Sequence, residues 1–158
     1  MTTPLFTMPM DTPVGRLVLE SDGDVLIGIW LPNSGLNASG DGRDAPPVLK
    51  DTATQLEEYF AGERTEFDLP MDLDGTPFQQ AVWAELSRIP YGETISYGEL
   101  ARRVGRPRGP RAVGQANGKN PIAIVVPCHR VVASNGIGGY GGGLTVKRAL
   151  LALEGITA

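Results

Sequence analysis

Ile122-Ala123-Ile124-Val125-Val126-Pro127-Cys128-His129-Arg130-Val131-Val132 is the stretch around which the rest of the chain is read. Aliphatic and β-branched residues run without a break up to Pro127. This predicts a buried strand over residues 122–126, stopped where proline has no N–H to give a ladder. Cys128 and His129 follow, the only cysteine and the only histidine in 158 residues. A thiol attacks as its thiolate, and a neighbouring base or positive charge makes that thiolate accessible. Nucleophile and imidazole placed together at a strand end form a candidate reactive site. The alternative is an inert buried cysteine beside an incidental histidine, since free cysteine is among the most buried residue types.

Composition narrows the classes. The length suits one good core or two small ones. No apolar segment is long enough to span a membrane, and the N-terminus lacks the basic-then-apolar pattern of a secretory signal. One cysteine makes no internal disulfide and no thiol cluster for structural zinc, so the expectation is a cytoplasmic protein without a metal site. The formal net charge of −4 hides a segregation. Residues 1–75 carry 4 basic and 14 acidic side chains, and residues 76–158 carry 10 basic and 4 acidic. Arg102, Arg103, Arg106, Arg108 and Arg111 fall together without an intervening acid. A basic half on an acidic protein points to a polyanionic partner for that half alone, with chance segregation on solvated faces as the bland alternative.

The chain reads as α+β. Gly15 to Glu20 and Val25 to Leu31 are β-rich and flank Asp22-Gly23, a hairpin signature. Residues 32–47 offer almost nothing to bury and read as a long surface loop. Leu49, Ala53, Leu56 and Phe60 recur at helical spacing, with Gly62 as the stop. Thr65 to Leu69 is compatible with one more strand. Residues 70–75 read as a linker, so an N-terminal α/β domain is expected over 1–72 and a mostly helical one over 73–158. Thr76-Pro77-Phe78-Gln79 opens the next helix with a capping box and an N-terminal proline; Phe78, Val82, Leu86 and Ile89 are its core stripe. Ser96 and Glu99 predict a second capping box and a helix through Val104, broken by Gly105-Arg106-Pro107. Pro110 starts another helix, to about Gly118. Helix, turn and helix fit a helix-turn-helix, and small residues such as Ala112 and Gly114 on the second helix permit close approach to a groove or close packing within the domain. A last helix runs from Leu144 to Glu154 with Val146, Leu150 and Leu153 inward.

Asn120-Pro121, Pro127-Cys128-His129-Arg130-Val131 and the loop Gly138-Gly139-Tyr140-Gly141-Gly142-Gly143 together resemble the active site of the O6-alkylguanine-DNA alkyltransferases. The likeness extends upstream through Tyr91-Gly92-Glu93-Thr94, Ser96-Tyr97-Gly98-Glu99-Leu100-Ala101 and Arg111-Ala112-Val113-Gly114, and more loosely to Asp11-Thr12-Pro13-Val14-Gly15. The resemblance implies a ribonuclease H-like N-terminal domain and transfer of an alkyl group from O6 of guanine in double-stranded DNA to Cys128. It implies a Cys128–His129–Glu154 relay supported by Asn120, and Tyr97 contacting the extruded base. Val131, Tyr140, Gly141 and Gly142 would line the pocket; many family members carry serine where Gly141 stands. Arg111 would enter the base stack from the minor groove. Arg102, Arg106 and Arg108 would meet phosphates, with Ala112, Gly114 and Gln115 on the recognition helix. No cofactor is implied, and a monomer is expected. Three other readings compete: a lesion-binding relative without transfer, which would lack the cysteine; a cysteine hydrolase using the same three groups; and a transcription factor, which would not need Cys-His.

Overall fold

The computed structural model describes residues 5–36, 38, 44–105 and 109–156. The chain divides into two compact units, Met1–Leu73 and Asp74–Ala158.

In the first unit, β1 (Phe6–Thr12), β2 (Gly15–Ser21) and β3 (Leu26–Trp30) form an antiparallel sheet in the order β1-β2-β3. The predicted hairpin is β2–β3. Its turn is fixed by the Asp22 carboxylate, which accepts from the Asp24 and Val25 N–H groups, and by Gly23 at φ +110°. Central β2 buries Leu17, Val18 and Leu19 in succession, which is why its sequence alternates so poorly. β1 was not expected as a strand; it carries Pro9, which an edge strand tolerates. Helix α1 (Pro47–Phe60) packs on the sheet through Val48, Leu49, Thr52, Leu56 and Tyr59. The inward face is thus turned toward Tyr59, and Ala53 and Phe60 are only half-buried. Thr65 to Leu69 is not a strand. The chain instead reaches β3 just afterwards, where the Leu26 N–H donates to Pro70 and the Asp72 N–H donates to Leu26. Within the expected loop, Pro32–Ser34 forms a 3-10 turn; residues 37 and 39–43 lie outside the described residues.

The second unit holds α2 (Pro77–Leu86), β4 (Ile95–Ser96), α3 (Tyr97–Arg103), α4 (Pro110–Gly118), β5 (Val131–Val132) and α5 (Leu144–Leu153). Thr76 and Gln79 form both halves of the capping box on α2. Only one half forms on α3: the Ser96 hydroxyl accepts from the Glu99 N–H, while the Glu99 carboxylate turns to Arg102 and Arg103. A carboxylate flanked by two guanidiniums gains more there than from one backbone N–H. Helices α2 and α4 are locked by the Trp83 indole N–H, which donates to the Ala116 carbonyl at 2.9 Å. Helix α4 presents Val113, Ala116 and Asn117 inward and Arg111, Ala112 and Gln115 to solvent, with Gly114 between.

The 122–126 run is buried but is not a strand. It is a tight turn in which the Val126 N–H donates to Ile122 at 3.0 Å and the Val125 N–H donates to Ala123 at 2.9 Å. Ile124 sits at φ +73°, a region β-branched residues rarely enter. Asn120 holds the turn from both ends, accepting from the Ile122 N–H at 3.0 Å and donating to the Val126 carbonyl at 2.8 Å. A short apolar run reports burial on all sides and not its backbone. Among the described residues, the regular pairing nearby is the parallel β4–β5 ladder just beyond His129 and Arg130.

Candidate active site

The turn delivers Cys128 into a one-turn 3-10 helix, Cys128–Arg130, whose three side chains are all buried. The Cys128 backbone is held from both sides: its N–H donates to Val126 at 2.8 Å, and its carbonyl accepts from the Asn117 amide on α4 at 3.3 Å. Cys128 is 6% exposed. Burial pushes the Cys128 thiol above its ordinary range. Hydrogen bonds from Asn120 and Tyr140, its own N–H and the Lys147 charge oppose that rise. The resting sulfur is therefore a protonated thiol in surroundings that favour the thiolate once the proton leaves.

His129 is fully buried and its Nε2 lies 2.6 Å from a Glu154 carboxylate oxygen. Among the described residues, its Nδ1 has no hydrogen-bond partner. Burial drives the imidazole below its ordinary 6.5, against the pull of Glu154 and helped by the charges of Arg130 and Lys147. At neutral pH it is an uncharged ring able to accept a proton. Glu154 follows directly on α5, as its C-cap residue. Its carboxylate accepts from Arg130 Nε at 2.7 Å and Nη2 at 3.2 Å, and from the Gly92 N–H at 3.3 Å. Arg130 also donates to the Ile89 carbonyl at 2.6 Å and lies over the Tyr91 ring at 5.8 Å.

Tyr97 opens α3, and its ring faces the glycine loop. Its hydroxyl donates to the Gly139 carbonyl at 3.4 Å, and burial raises its pKa, so it stays protonated at neutral pH. A Cβ at Gly138, itself at φ +76°, would lie 3.1 Å from the Tyr97 ring and from the Ala133 nitrogen, so only glycine fits there. An added Cβ at Gly141 would meet nothing within 4 Å. Serine would fit there, and its absence leaves the backbone in place.

Lys147 was missed in the sequence. Position 147 is fully buried, whereas Val146 and Leu153, expected inward, are only half-buried. The Lys147 ammonium donates to Val131 at 2.7 Å and to Gly139 at 3.0 Å, tying β5 to the glycine loop. Burial lowers its pKa to about 8, with the Cys128 charge pulling the other way. Its spacing from Leu150 and Leu151 on α5 was the available signal, overridden by the expectation that lysine is solvated.

Cys128, His129, Glu154, Asn120, Tyr97, Val131 and Tyr140 thus converge, with Gly142 buried and Gly141 exposed in the adjoining loop. Arg111, Ala112 and Gln115 are displayed on the opposite face of α4. Arg102 is exposed and paired with Glu99. Arg106 and Arg108 lie outside the described residues. No group of three or more metal-binding side chains occurs among the described residues, and no helix there is long and apolar enough to cross a membrane.

Fold and site define a class: a helix-turn-helix unit carrying one buried thiol, backed by a histidine–carboxylate pair. Residues 77–156 match the family model described as 6-O-methylguanine DNA methyltransferase, DNA binding domain; residues 6–73 match its ribonuclease-like domain. The chain belongs to the O6-methylguanine-DNA methyltransferase family. It is 51% identical over 147 residues to the methylated-DNA–protein-cysteine methyltransferase of Mycobacterium tuberculosis, covering 92% of this chain and 89% of that one. The constitutive enzyme of that name from Bacillus subtilis is 43% identical, with 93% of each chain covered. Among solved structures, the Mycobacterium tuberculosis OGT in complex with DNA aligns with a TM-score of 0.85 at 50% identity, over 94% of this chain and 91% of that one.

Proposed function

We propose that this protein repairs O6-alkylguanine in double-stranded DNA by moving the alkyl group onto Cys128, once per molecule. The observation that carries this reading is the fully buried His129–Glu154 contact of 2.6 Å, set directly beside the chain's single cysteine. Glu154 orients the imidazole, and His129 takes the Cys128 proton as the sulfur engages the substrate, directly or through a water. The sulfur lone pair forms a bond to the alkyl carbon while the carbon–O6 bond breaks. The electron pair passes into the purine, and Tyr97, held protonated by burial, donates a proton to it. Asn120 and Tyr140 support the developing thiolate, and Val131, Gly141 and Gly142 line the base pocket. The product is a thioether with no carbonyl for water to attack, so nothing returns the thiol. The damaged base brings the transferred group itself, so no step calls on a metal or cofactor.

The base reaches this buried sulfur by leaving the stack, at a cost of a few kcal/mol. Arg111 heads the exposed face of α4 and takes the vacated space from the minor-groove side, beside Ala112 and Gln115. Gly114 supports close approach, since a Cβ there would meet only the Tyr97 ring at 3.8 Å and internal packing does not require glycine. Arg102, Arg106 and Arg108 contribute phosphate contacts. A reactive thiol used once suits the reducing cytoplasm and a monomer.

The test is intact-mass analysis after incubation with an O6-methylguanine oligonucleotide. A gain of one methyl on Cys128 is expected, with none in Cys128→Ser, which should still bind DNA. Unmodified wild-type protein, or dealkylation by Cys128→Ser, overturns the reading. The same measurement separates transfer from lesion binding, hydrolysis and transcriptional regulation.

A further inference from the structure

We propose that Arg130 is the positioning residue that fixes the tautomer of His129, acting through Glu154. The proposal rests on His129 being the proton acceptor in the proposed transfer. The geometry is a closed buried cluster. Arg130 grips Glu154 through two N–H groups at 2.7 and 3.2 Å, and Gly92 adds a third donor at 3.3 Å. Arg130 is itself fixed by the Ile89 carbonyl at 2.6 Å and by the face of Tyr91, whose hydroxyl donates to Leu153 at 3.2 Å.

An ionised carboxylate only accepts hydrogen bonds, whereas a protonated one can donate. A guanidinium that is always charged keeps Glu154 ionised despite its burial. The His129 Nε2, 2.6 Å away, must then carry the ring proton. The remaining lone pair is left on Nδ1, the ring nitrogen without a partner among the described residues. Without Arg130, burial would favour the neutral carboxylic acid. Its O–H would donate to Nε2, the ring proton would move to Nδ1, and the nitrogen that should accept from the thiol would be blocked. The other charged group influencing the ring is Lys147, with Cys128 adjacent; Lys147 hydrogen bonds to Val131 and Gly139, not to the carboxylate.

His129 is the only histidine, so nitrogen NMR of histidine-labelled protein reports this ring alone. The unmodified protein should show a protonated Nε2 and an unprotonated Nδ1 near neutral pH; the reverse pattern overturns the proposal. Arg130→Met should shift the ring toward Nδ1–H and slow single-turnover transfer by about a hundredfold to ten-thousandfold, the usual share of a general base. Arg130→Lys keeps the charge with a single-point contact and should hold the wild-type tautomer with a smaller rate loss. A folded Arg130→Met with wild-type tautomer and pH profile overturns the proposal. Should Arg130→Met fail to fold, the wild-type tautomer and Arg130→Lys still decide. The tautomer is read without substrate, so a protein that transfers no alkyl group would sink the proposed function while leaving this inference open to its own test.

Discussion

At the scale of single residues, the site works by opposing shifts. Burial holds the Cys128 thiol protonated and the His129 imidazole neutral, so neither group is charged at rest. In the proposed transfer the charge pair is created only when the proton moves, inside a shell that already contains Asn120, Tyr140, Lys147 and Glu154. A depressed histidine pKa has a signed consequence for stability. Below 6.5 the unfolded chain binds a proton that the folded protein still refuses, so stability is whole above that pH and is lost as pH falls toward the folded value. Urea unfolding at about pH 7.5 and about pH 5.5 should show a larger loss in wild type than in His129→Gln, which lacks this titration. Equal losses would mean that the imidazole is not protected from protonation. Single-turnover transfer should hold through that range and decline only at lower pH, where the folded ring itself takes up a proton and loses its capacity to accept.

At the scale of elements, two helix starts carry separable predictions. The Thr76 capping box is complete and solvent-exposed, so Thr76→Ala should cost about 1 kcal/mol in chemical denaturation without altering transfer to a free base. Arg111 heads α4 with its side chain in solvent. If it occupies the gap left by the flipped nucleotide, Arg111→Ala slows repair of duplex O6-methylguanine strongly and leaves reaction with free O6-benzylguanine nearly unchanged. The comparison is a pair of single-turnover rate constants at one salt concentration. Slowing of both by the same factor assigns Arg111 to the fold or the pocket. Helices α2, α3 and α4 are legible from their starts, because caps and N-terminal prolines act within four residues, whereas α1 and α5 are legible from their apolar spacing. The turn at 122–126 was misread, because the Asn120 side chain and not the local backbone preference sets it.

At the scale of the whole molecule, the single reaction is also an insertion into a packed interior. Cys128 is buried between the 122–126 turn and α5, and an alkyl group adds volume there. Overpacking typically costs ~1–3 kcal/mol, enough to lower a melting temperature by several degrees in a domain of this size. Methylated protein should melt below unmodified protein, and benzylated protein lower still; coincident melting curves would show that the pocket has room to spare. The charge segregation belongs to this scale too. An acidic first half and a basic second half restrict electrostatic attraction for a polyanion to the unit bearing the site.

By itself the sequence determined an α+β chain with a β2–β3 hairpin, an α1 helix, a capped α2 and a helix-turn-helix of α3 and α4. It also marked Cys128 and His129 as a candidate reactive pair, because these features follow from residue type and near-neighbour spacing. Glu154 was singled out only through the family resemblance, since 25 residues separate it from His129. Tertiary structure alone decided that Lys147 points inward, that Arg130 shares the Glu154 carboxylate, and that the apolar run before Cys128 turns back on itself. Each of these depends on partners distant in sequence or on a side chain replacing a backbone ladder. A lysine or arginine looks solvated in any one-dimensional reading; burial becomes tolerable only where folding brings carbonyls or a carboxylate within hydrogen-bond distance.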